Sequence, residues 1–170
     1  QRQCLIVGIC NGFQALVKSG LLPFGKIGEV TPNSPTLYRN NINRHISRIA
    51  STVVSSVQSP WLSSFKVGET FNVPLSHGEG KFIVDEQLAR QLFENGQVAF
   101  QYCDENGKPS MNPIDNPNGS FYAIEGIVSD NGLILGKMGH SERKGDNLFK
   151  NISGNKNEDI FRNAIQYLKA

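Results

Sequence analysis

The sequence predicts an α/β fold in which helices flank a single sheet. An apolar run at residues 4–9 leads directly into a helical segment at 14–19, a strand-to-helix step that is typical of such domains. Five further runs are rich in β-branched and aromatic residues, as strands are. Residues 157–168 space their apolar side chains as a helix does. The 170 residues suffice for one domain with its own core, which we assign to residues 1–170.

Two helices after the first have recognisable signals. Asp85 is a suitable N-cap for a helix that reaches Glu94, and Asn95-Gly96 follows as its end. The apolar face predicted for this helix consists of Leu88, Leu92 and Phe93. The last helix, 157–168, has apolar residues at 160, 161, 164, 165 and 168. A short helical turn is also predicted at 59–62.

The remaining strands are separated by loops of typical composition. They are predicted at 49–57, 70–75, 98–102, 123–129 and 133–138. The last two flank Asp130-Asn131-Gly132, which is a strong signal for a β-hairpin. Segments 24–35 and 104–120 are rich in Gly, Pro and Asn and are expected to be loops.

The composition excludes several classes of function. Hydrophobic residues make up 38% and charged residues 19% of the chain, and the net charge is only +2, so neither a nucleic-acid nor a membrane partner is expected. No apolar run approaches the ~20 residues of a membrane span. Three cysteines do not form a disulfide framework and indicate a reducing compartment, here the cytoplasm. Cys4 and Cys103 lie in strand-like runs and are expected in the core.

The chemistry begins at the end of the first strand, in Val7-Gly8-Ile9-Cys10-Asn11-Gly12. A cysteine flanked by two glycines between a strand and a helix is the cysteine form of a nucleophile elbow. Gly8 and Gly12 leave room for the sharp turn. The helix start places partial positive charge near the sulfur, so we expect the thiolate to be favoured.

A cysteine nucleophile needs a base, and the base needs an orienting group. Of the three histidines, His45 lies in a polar stretch and His77 in a Gly-rich loop. His140 follows the last predicted strand and has a carboxylate two residues away, at Glu142, where both side chains face the same side of an extended segment. This pair is the candidate base and orienter, with Cys10 as the nucleophile.

These segments resemble the triad (class I) glutamine amidotransferases. The resemblance rests on Gly8-Ile9-Cys10-Asn11-Gly12-Phe13-Gln14, on Ser76-His77-Gly78-Glu79-Gly80 and on Met138-Gly139-His140-Ser141-Glu142-Arg143, in the family's order and rough spacing. Within the family, the chain is most similar to the glutaminase domains of phosphoribosylformylglycinamidine synthases. Asn-Pro-Asn-Gly-Ser at 116–120 and the Arg-rich segment 39–48 add to that likeness.

The resemblance implies a flavodoxin-like α/β sheet with the site at its strand ends. It implies catalytic roles for Cys10, His140 and Glu142, an oxyanion donor at the backbone of Asn11, and contacts to glutamine from Gln14. It also implies that the backbone of Gly78 and Glu79 lines the glutamine pocket. For the side chains of His77 and Glu79, chemistry and a buried loop network remain equal alternatives.

The resemblance also implies a partner. Glutamine would be the substrate, and the ammonia would pass to a synthase module that converts formylglycinamide ribonucleotide to the amidine. ATP and magnesium would belong to that module, because this chain has no phosphate-binding loop. No cofactor and no metal site are expected in this chain.

Two features depart from the family. Ser141 stands where the family usually has proline, and the absence of this rigid residue is expected to loosen the turn. The family's second oxyanion donor comes from a Gly-rich loop before the elbow strand, and the chain starts at Gln1, three residues before that strand. We therefore expect a piece of a longer polypeptide, the C-terminal part of one domain lacking its N-terminal strands, with little activity in isolation.

Other functions fit the same fold. The chain could be a separate small glutaminase subunit of the same enzyme, a non-catalytic module that docks a partner, or a cysteine hydrolase acting on peptides. Gln14 and the loop 77–80 favour glutamine over a peptide. Labelling of the thiol with a glutamine-like electrophile would separate these functions.

Overall fold

The computed structural model describes residues 4–169 and has a mixed α/β architecture. Eight strands form a six-stranded sheet and a separate two-stranded sheet. The strands are β1 (Ile6–Ile9), β2 (Thr36–Tyr38), β3 (Ile46–Val54), β4 (Thr70–His77), β5 (Lys81–Ile83), β6 (Val98–Tyr102), β7 (Ile124–Val128) and β8 (Ile134–Lys137). The helices are α1 (Asn11–Lys18), α2 (Leu21–Phe24), α3 (Glu86–Glu94) and α4 (Ile160–Lys169). The α/β class predicted from the sequence is confirmed.

The six-stranded sheet has the order β1-β8-β7-β6-β3-β4. Only the β1–β8 pair is parallel, with Gly8 opposite Gly136, and the other four pairs are antiparallel. The sheet curls, so that its two end strands approach each other. The N–H of His140, just beyond β8, donates to Pro74 O of β4 at 2.9 Å. This approach of the sheet ends brings distant segments of the sequence to one place.

Helices cover both faces of the sheet. Neighbouring residues of a strand point to opposite faces, and on β8 Ile134 belongs to one buried cluster and Leu135 to the other. The first cluster includes side chains of α1 and α3, and the second includes α4 and a 3₁₀ turn at Pro60–Leu62. That turn was predicted, and its Ser59 cap accepts a hydrogen bond from Trp61 N.

The predicted helix cap and hairpin are also confirmed. Asp85 Oδ1 accepts from Leu88 N at 2.8 Å at the start of α3. Strands β7 and β8 pair across the turn at 130–132, where Ser129 N donates to Ile134 O at 2.9 Å. The short sheet formed by β2 and β5 was not predicted, because three-residue strands carry little sequence signal.

Some side chains predicted in the core are exposed. Phe93 of α3 is 39% exposed, and Ala89 is buried in its place. On α4, Ile165 and Leu168 are 53% and 63% exposed, although both fit the helical spacing. Cys103 is buried as expected, whereas Cys4 is exposed. Apolar spacing predicted α3 and α4 correctly but assigned too many of their side chains to the core, and the short helix α2 was not predicted.

No helix within residues 4–169 is both long and apolar enough to cross a membrane.

Candidate active site

The turn between β1 and α1 has the geometry of a nucleophile elbow. Cys10 has φ 54° and ψ −107°, a strained conformation for a residue with a side chain. Its carbonyl accepts from Gln14 N at 3.2 Å, which closes the first turn of α1. A Cβ on Gly8 would lie 2.5 Å from Leu16 Cδ1 and 2.6 Å from the backbone of Gly12, so Gly8 is required. A Cβ on Gly12 would meet nothing within 4 Å, so the expected need for glycine there is wrong.

Burial favours the thiol form of Cys10 over the thiolate. Partial burial raises the pKa of Cys10 and outweighs the backbone N–H of Asn11 and the charge of Arg143, which both lower it. The charge of Glu142 adds to the increase. The expectation that the helix start favours the thiolate is therefore wrong for the free site, because desolvation is the larger effect. The thiol needs a base to remove its proton before it can attack.

His140 is held in the orientation of such a base. Its Nδ1 lies 2.5 Å from Glu142 Oε1. A carboxylate only accepts hydrogen bonds, so the proton resides on Nδ1 and Nε2 carries the free lone pair. Nε2 is buried and has no hydrogen-bond partner within residues 4–169. Glu142 Oε1 also lies 3.8 Å from Arg143 Nε, so the carboxylate has a second positively polarised neighbour.

The candidate nucleophile and the candidate base both contact β4. Cys10 Sγ donates to Ser76 O at 3.6 Å, and His140 N donates to Pro74 O at 2.9 Å. Carbonyls two residues apart on a strand lie on the same edge, about 7 Å from each other. The backbone N–H of Cys10 also donates to Lys137 O at 2.8 Å, three residues before His140. The curled sheet thus brings Cys10, His140 and Glu142 into one site.

The candidate substrate-binding residues lie beside this site, at the start of α1. Gln14 Nε2 donates to Glu79 O at 2.5 Å and so joins α1 to the loop after β4. Gly78 O accepts from Asn40 N at 3.0 Å on the other side of the same loop. The structure therefore brings Gln14, Gly78 and Glu79 together. The side chain of Glu79 is exposed and lies 3.9 Å from Arg39 Nε.

His77 belongs to a buried network. Its Nδ1 lies 3.2 Å from Asn40 Oδ1, and a Cβ on Gly80 would lie 2.3 Å from His77 Cε1. Burial lowers the pKa of His77 to about 4, with smaller contributions from His45 and His140. The ring is neutral at pH 7 and packs against the loop after β4. This geometry favours the structural alternative for the His77 side chain.

Two groups of residues were missed by the sequence analysis. Asn40 organises the loop after β4, because its side chain donates to His77 O at 2.8 Å and accepts from Gly80 N at 3.0 Å. The second group is a buried ion cluster around Lys137. Its signal was a lysine inside the apolar run 133–138, where charge is rare unless it is paired.

Within residues 4–169, no group of three or more His, Cys, Asp and Glu side chains is arranged to hold a metal ion.

Comparison with known proteins points to one family. The family model of the CobB/CobQ-like glutamine amidotransferase domain matches residues 1–168. The phosphoribosylformylglycinamidine synthase subunit PurQ of Gloeobacter violaceus is 35% identical over 165 residues, which cover 97% of this chain and 64% of the relative. The PurQ subunit of Acaryochloris marina is 37% identical over 142 residues, which cover 84% of this chain and 55% of the relative.

A solved structure is similar over nearly the whole chain. The structure of PurLQS from Thermotoga maritima contains a chain that matches with a TM-score of 0.68 and 26% identity. The match covers 96% of this chain and 62% of that chain. The chain therefore spans less than two thirds of the length of each of these three relatives.

Proposed function

The chain belongs to the CobB/CobQ-like glutamine amidotransferase family, and on this basis we propose that it is the glutaminase unit of a phosphoribosylformylglycinamidine synthase. The observation that carries the proposal is the pairing of His140 Nδ1 with Glu142 Oε1 at 2.5 Å, next to a cysteine in an elbow. Such a nucleophile, base and orienter are what acyl transfer requires. The names of the PurQ relatives supply the pathway, purine biosynthesis.

The first half of the reaction transfers the glutamyl group to the enzyme. His140 Nε2 accepts the proton of the Cys10 thiol, and the sulfur attacks the side-chain amide carbon of glutamine. The backbone N–H of Asn11, the first residue of α1, has no partner within the helix and stabilises the oxyanion. His140 then donates this proton to the amide nitrogen, the C–N bond breaks, and ammonia departs, which leaves a γ-glutamyl thioester on Cys10.

The second half regenerates the thiol. His140 Nε2 accepts a proton from water, whose oxygen attacks the thioester carbon. The C–S bond breaks, glutamate leaves, and His140 passes the proton from water to the sulfur. Glu142 holds the imidazole in one tautomer through both halves and stabilises its protonated form. The proton of the Cys10 thiol leaves with ammonia and a proton from water replaces it, so the thiol and the imidazole are both regenerated.

The ammonia is consumed elsewhere. We propose that a synthase module binds against this unit, holds ATP and magnesium, and uses the ammonia to convert formylglycinamide ribonucleotide to the amidine. A reducing, cytoplasmic location suits the free Cys10 thiol. Gln14 and the backbone of Gly78 and Glu79 are proposed to hold the glutamine. Gln14 lies in the first turn of α1, next to Cys10, and its side chain donates to Glu79 O in the loop after β4.

The proposal is tested by labelling the intact enzyme with a diazoketone analogue of glutamine. Peptide mass mapping should find the label on Cys10, and free glutamine should protect it. Cys4, which is exposed, serves as an internal control for unspecific alkylation. Label on Cys4 alone, or labelling of Cys10 that glutamine does not reduce, would argue for a peptide hydrolase or a docking module.

The same experiment separates two organisations of the parent enzyme. The Arg-rich segment 39–48 favours a domain of a large single chain, and the subunit names of the relatives favour a separate small subunit. Electrophoresis of labelled cell extract gives the size of the polypeptide that carries Cys10. A labelled band large enough to hold both modules indicates the single chain, and a small band indicates the subunit.

A further inference from the structure

A buried ion cluster lies directly behind the candidate base. Lys137, Glu125 and Glu158 all have fully buried side chains. Lys137 Nζ lies 2.5 Å from Glu158 Oε2 and 3.5 Å from Glu125 Oε1. Burying three charged groups is unfavourable unless they are paired, and even a paired cluster adds little stability over apolar residues. Its position next to the base suggests a use other than stability.

Hydrogen bonds from this cluster reach the residues on both sides of His140. Before it, Gly139 N donates to Glu125 Oε1 at 2.5 Å, and Gly139 O accepts from Lys137 Nζ at 3.2 Å. After it, Ser141 Oγ accepts from Lys137 Nζ at 3.0 Å and donates to Glu158 Oε2. The hydroxyl of Ser141 therefore fixes the turn that its replacement of proline was expected to loosen.

Lys137 is also hydrogen-bonded to the backbone of Cys10, the proposed nucleophile. Its backbone carbonyl accepts from Cys10 N at 2.8 Å, while its ammonium binds the turn that carries His140. The turn has no free volume, because a Cβ on Gly139 would lie 2.6 Å from Val73 Cγ2. One residue thus connects the backbone of the elbow to the backbone of the base.

The ammonium of Lys137 stays charged in this environment. Burial alone would lower the pKa of Lys137, but the carboxylates of Glu125 and Glu158 together raise it above its ordinary value. All the donor hydrogens of the ammonium are then available for the contacts with Glu158, Ser141 and Gly139.

We propose that Lys137 is a positioning residue for glutamine hydrolysis, which fixes the 139–141 turn so that His140 Nε2 faces the Cys10 thiol. The inference rests on the proposed glutaminase function. The side chain of Lys137 is fully buried and acts through Gly139 and Ser141. Because a displacement of about 1 Å in a catalytic group lowers rates by about 10²-fold, loss of this anchor should act on turnover.

The test compares three variants of the intact synthase. Lys137→Met removes the ammonium but keeps an unbranched side chain. Ser141→Ala removes one hydroxyl and leaves the ion pairs in place. Lys144→Met is the matched control, because it breaks a lysine–carboxylate pair with Asp159 at 2.9 Å close to the same turn without touching 139–141.

The kinetic readouts are kcat and KM for glutamine, with ammonia-dependent synthesis measured on the same samples. We expect kcat to fall about 10²-fold in Lys137→Met and by a smaller factor in Ser141→Ala. In both variants, KM for glutamine and the rate of ammonia-dependent synthesis should stay unchanged. The control Lys144→Met should match the wild type in every readout. Wild-type kcat in both Lys137→Met and Ser141→Ala overturns the inference.

If Lys137→Met does not fold, Ser141→Ala decides, and a wild-type kcat in that variant overturns the inference. A rise in KM without a fall in kcat also contradicts it, since the cluster would then shape the glutamine pocket. Failure of the function itself has a different signature, because the wild-type enzyme would then release no glutamate from glutamine.

Discussion

The backbone N–H of Cys10 donates to Lys137 O at 2.8 Å, which ties the proposed nucleophile to the strand that leads to His140, its proposed base. The parallel pairing of β1 with β8 continues up to Ile9 opposite Lys137, and this hydrogen bond extends it by one residue. Only two residues separate Lys137 from His140. The relative position of nucleophile and base therefore depends on a short, hydrogen-bonded path through the sheet.

The raised pKa of Cys10 predicts how the reactivity of its thiol depends on pH. Because burial raises the pKa of Cys10, the thiolate forms only at high pH in the absence of glutamine. The rate of alkylation by iodoacetamide should rise with pH and reach no plateau below pH 9. Arg143→Gln should move the profile to higher pH, since Arg143 lowers this pKa. A plateau reached near neutral pH would show a preformed thiolate and contradict this account.

The role of Glu142 is tested by Glu142→Gln in the intact enzyme. Loss of the carboxylate removes the group that fixes the His140 tautomer, and orienting carboxylates of this kind contribute about 10⁴-fold to kcat. Glutamate release should fall by this order, with an unchanged melting temperature. Glu86→Gln is the control, because it removes only an exposed pair with Arg90 at 3.4 Å. Near-normal turnover in Glu142→Gln would remove this residue from the triad.

The elements of the site that could be predicted are those with local signals. The elbow is contiguous in sequence, and Glu142 lies two residues from His140. The approach of the sheet ends could not be predicted, because Pro74 and Ser76 meet His140 and Cys10 only through the curl of the sheet. Hydrophobic patterns fix which residues are buried but not which strands become neighbours.

The errors also have physical causes. The helix start at Cys10 suggested a thiolate, but the sequence gives no measure of the desolvation that raises the pKa. Ser141 was expected to loosen the turn, because the sequence alone does not show that its hydroxyl binds Lys137 and Glu158, which are 4 and 17 residues away. Effects that depend on partners distant in sequence were the ones missed.

The two glycines of the elbow offer a matched pair for stability. Gly8→Ala places a Cβ 2.5 Å from Leu16 Cδ1 and 2.6 Å from the Gly12 backbone, so the free energy of unfolding should fall by about 1–3 kcal/mol. Gly12→Ala meets nothing within 4 Å and lies in α1, so it should be neutral or stabilising by up to about 1 kcal/mol. Urea unfolding of both variants measures the difference. Equal stabilities would contradict the packing described for Gly8.

The central claim is that Cys10 releases ammonia from glutamine and that this ammonia is used at a separate synthase site. The variant Cys10→Ala in the intact enzyme tests this claim most directly. Amidine formation is measured twice on the same preparation, once with glutamine and once with ammonium chloride. The account predicts loss of the glutamine-dependent reaction with the ammonia-dependent reaction nearly unchanged. Persistence of the glutamine-dependent reaction, or loss of both reactions in a variant that remains folded, would contradict it.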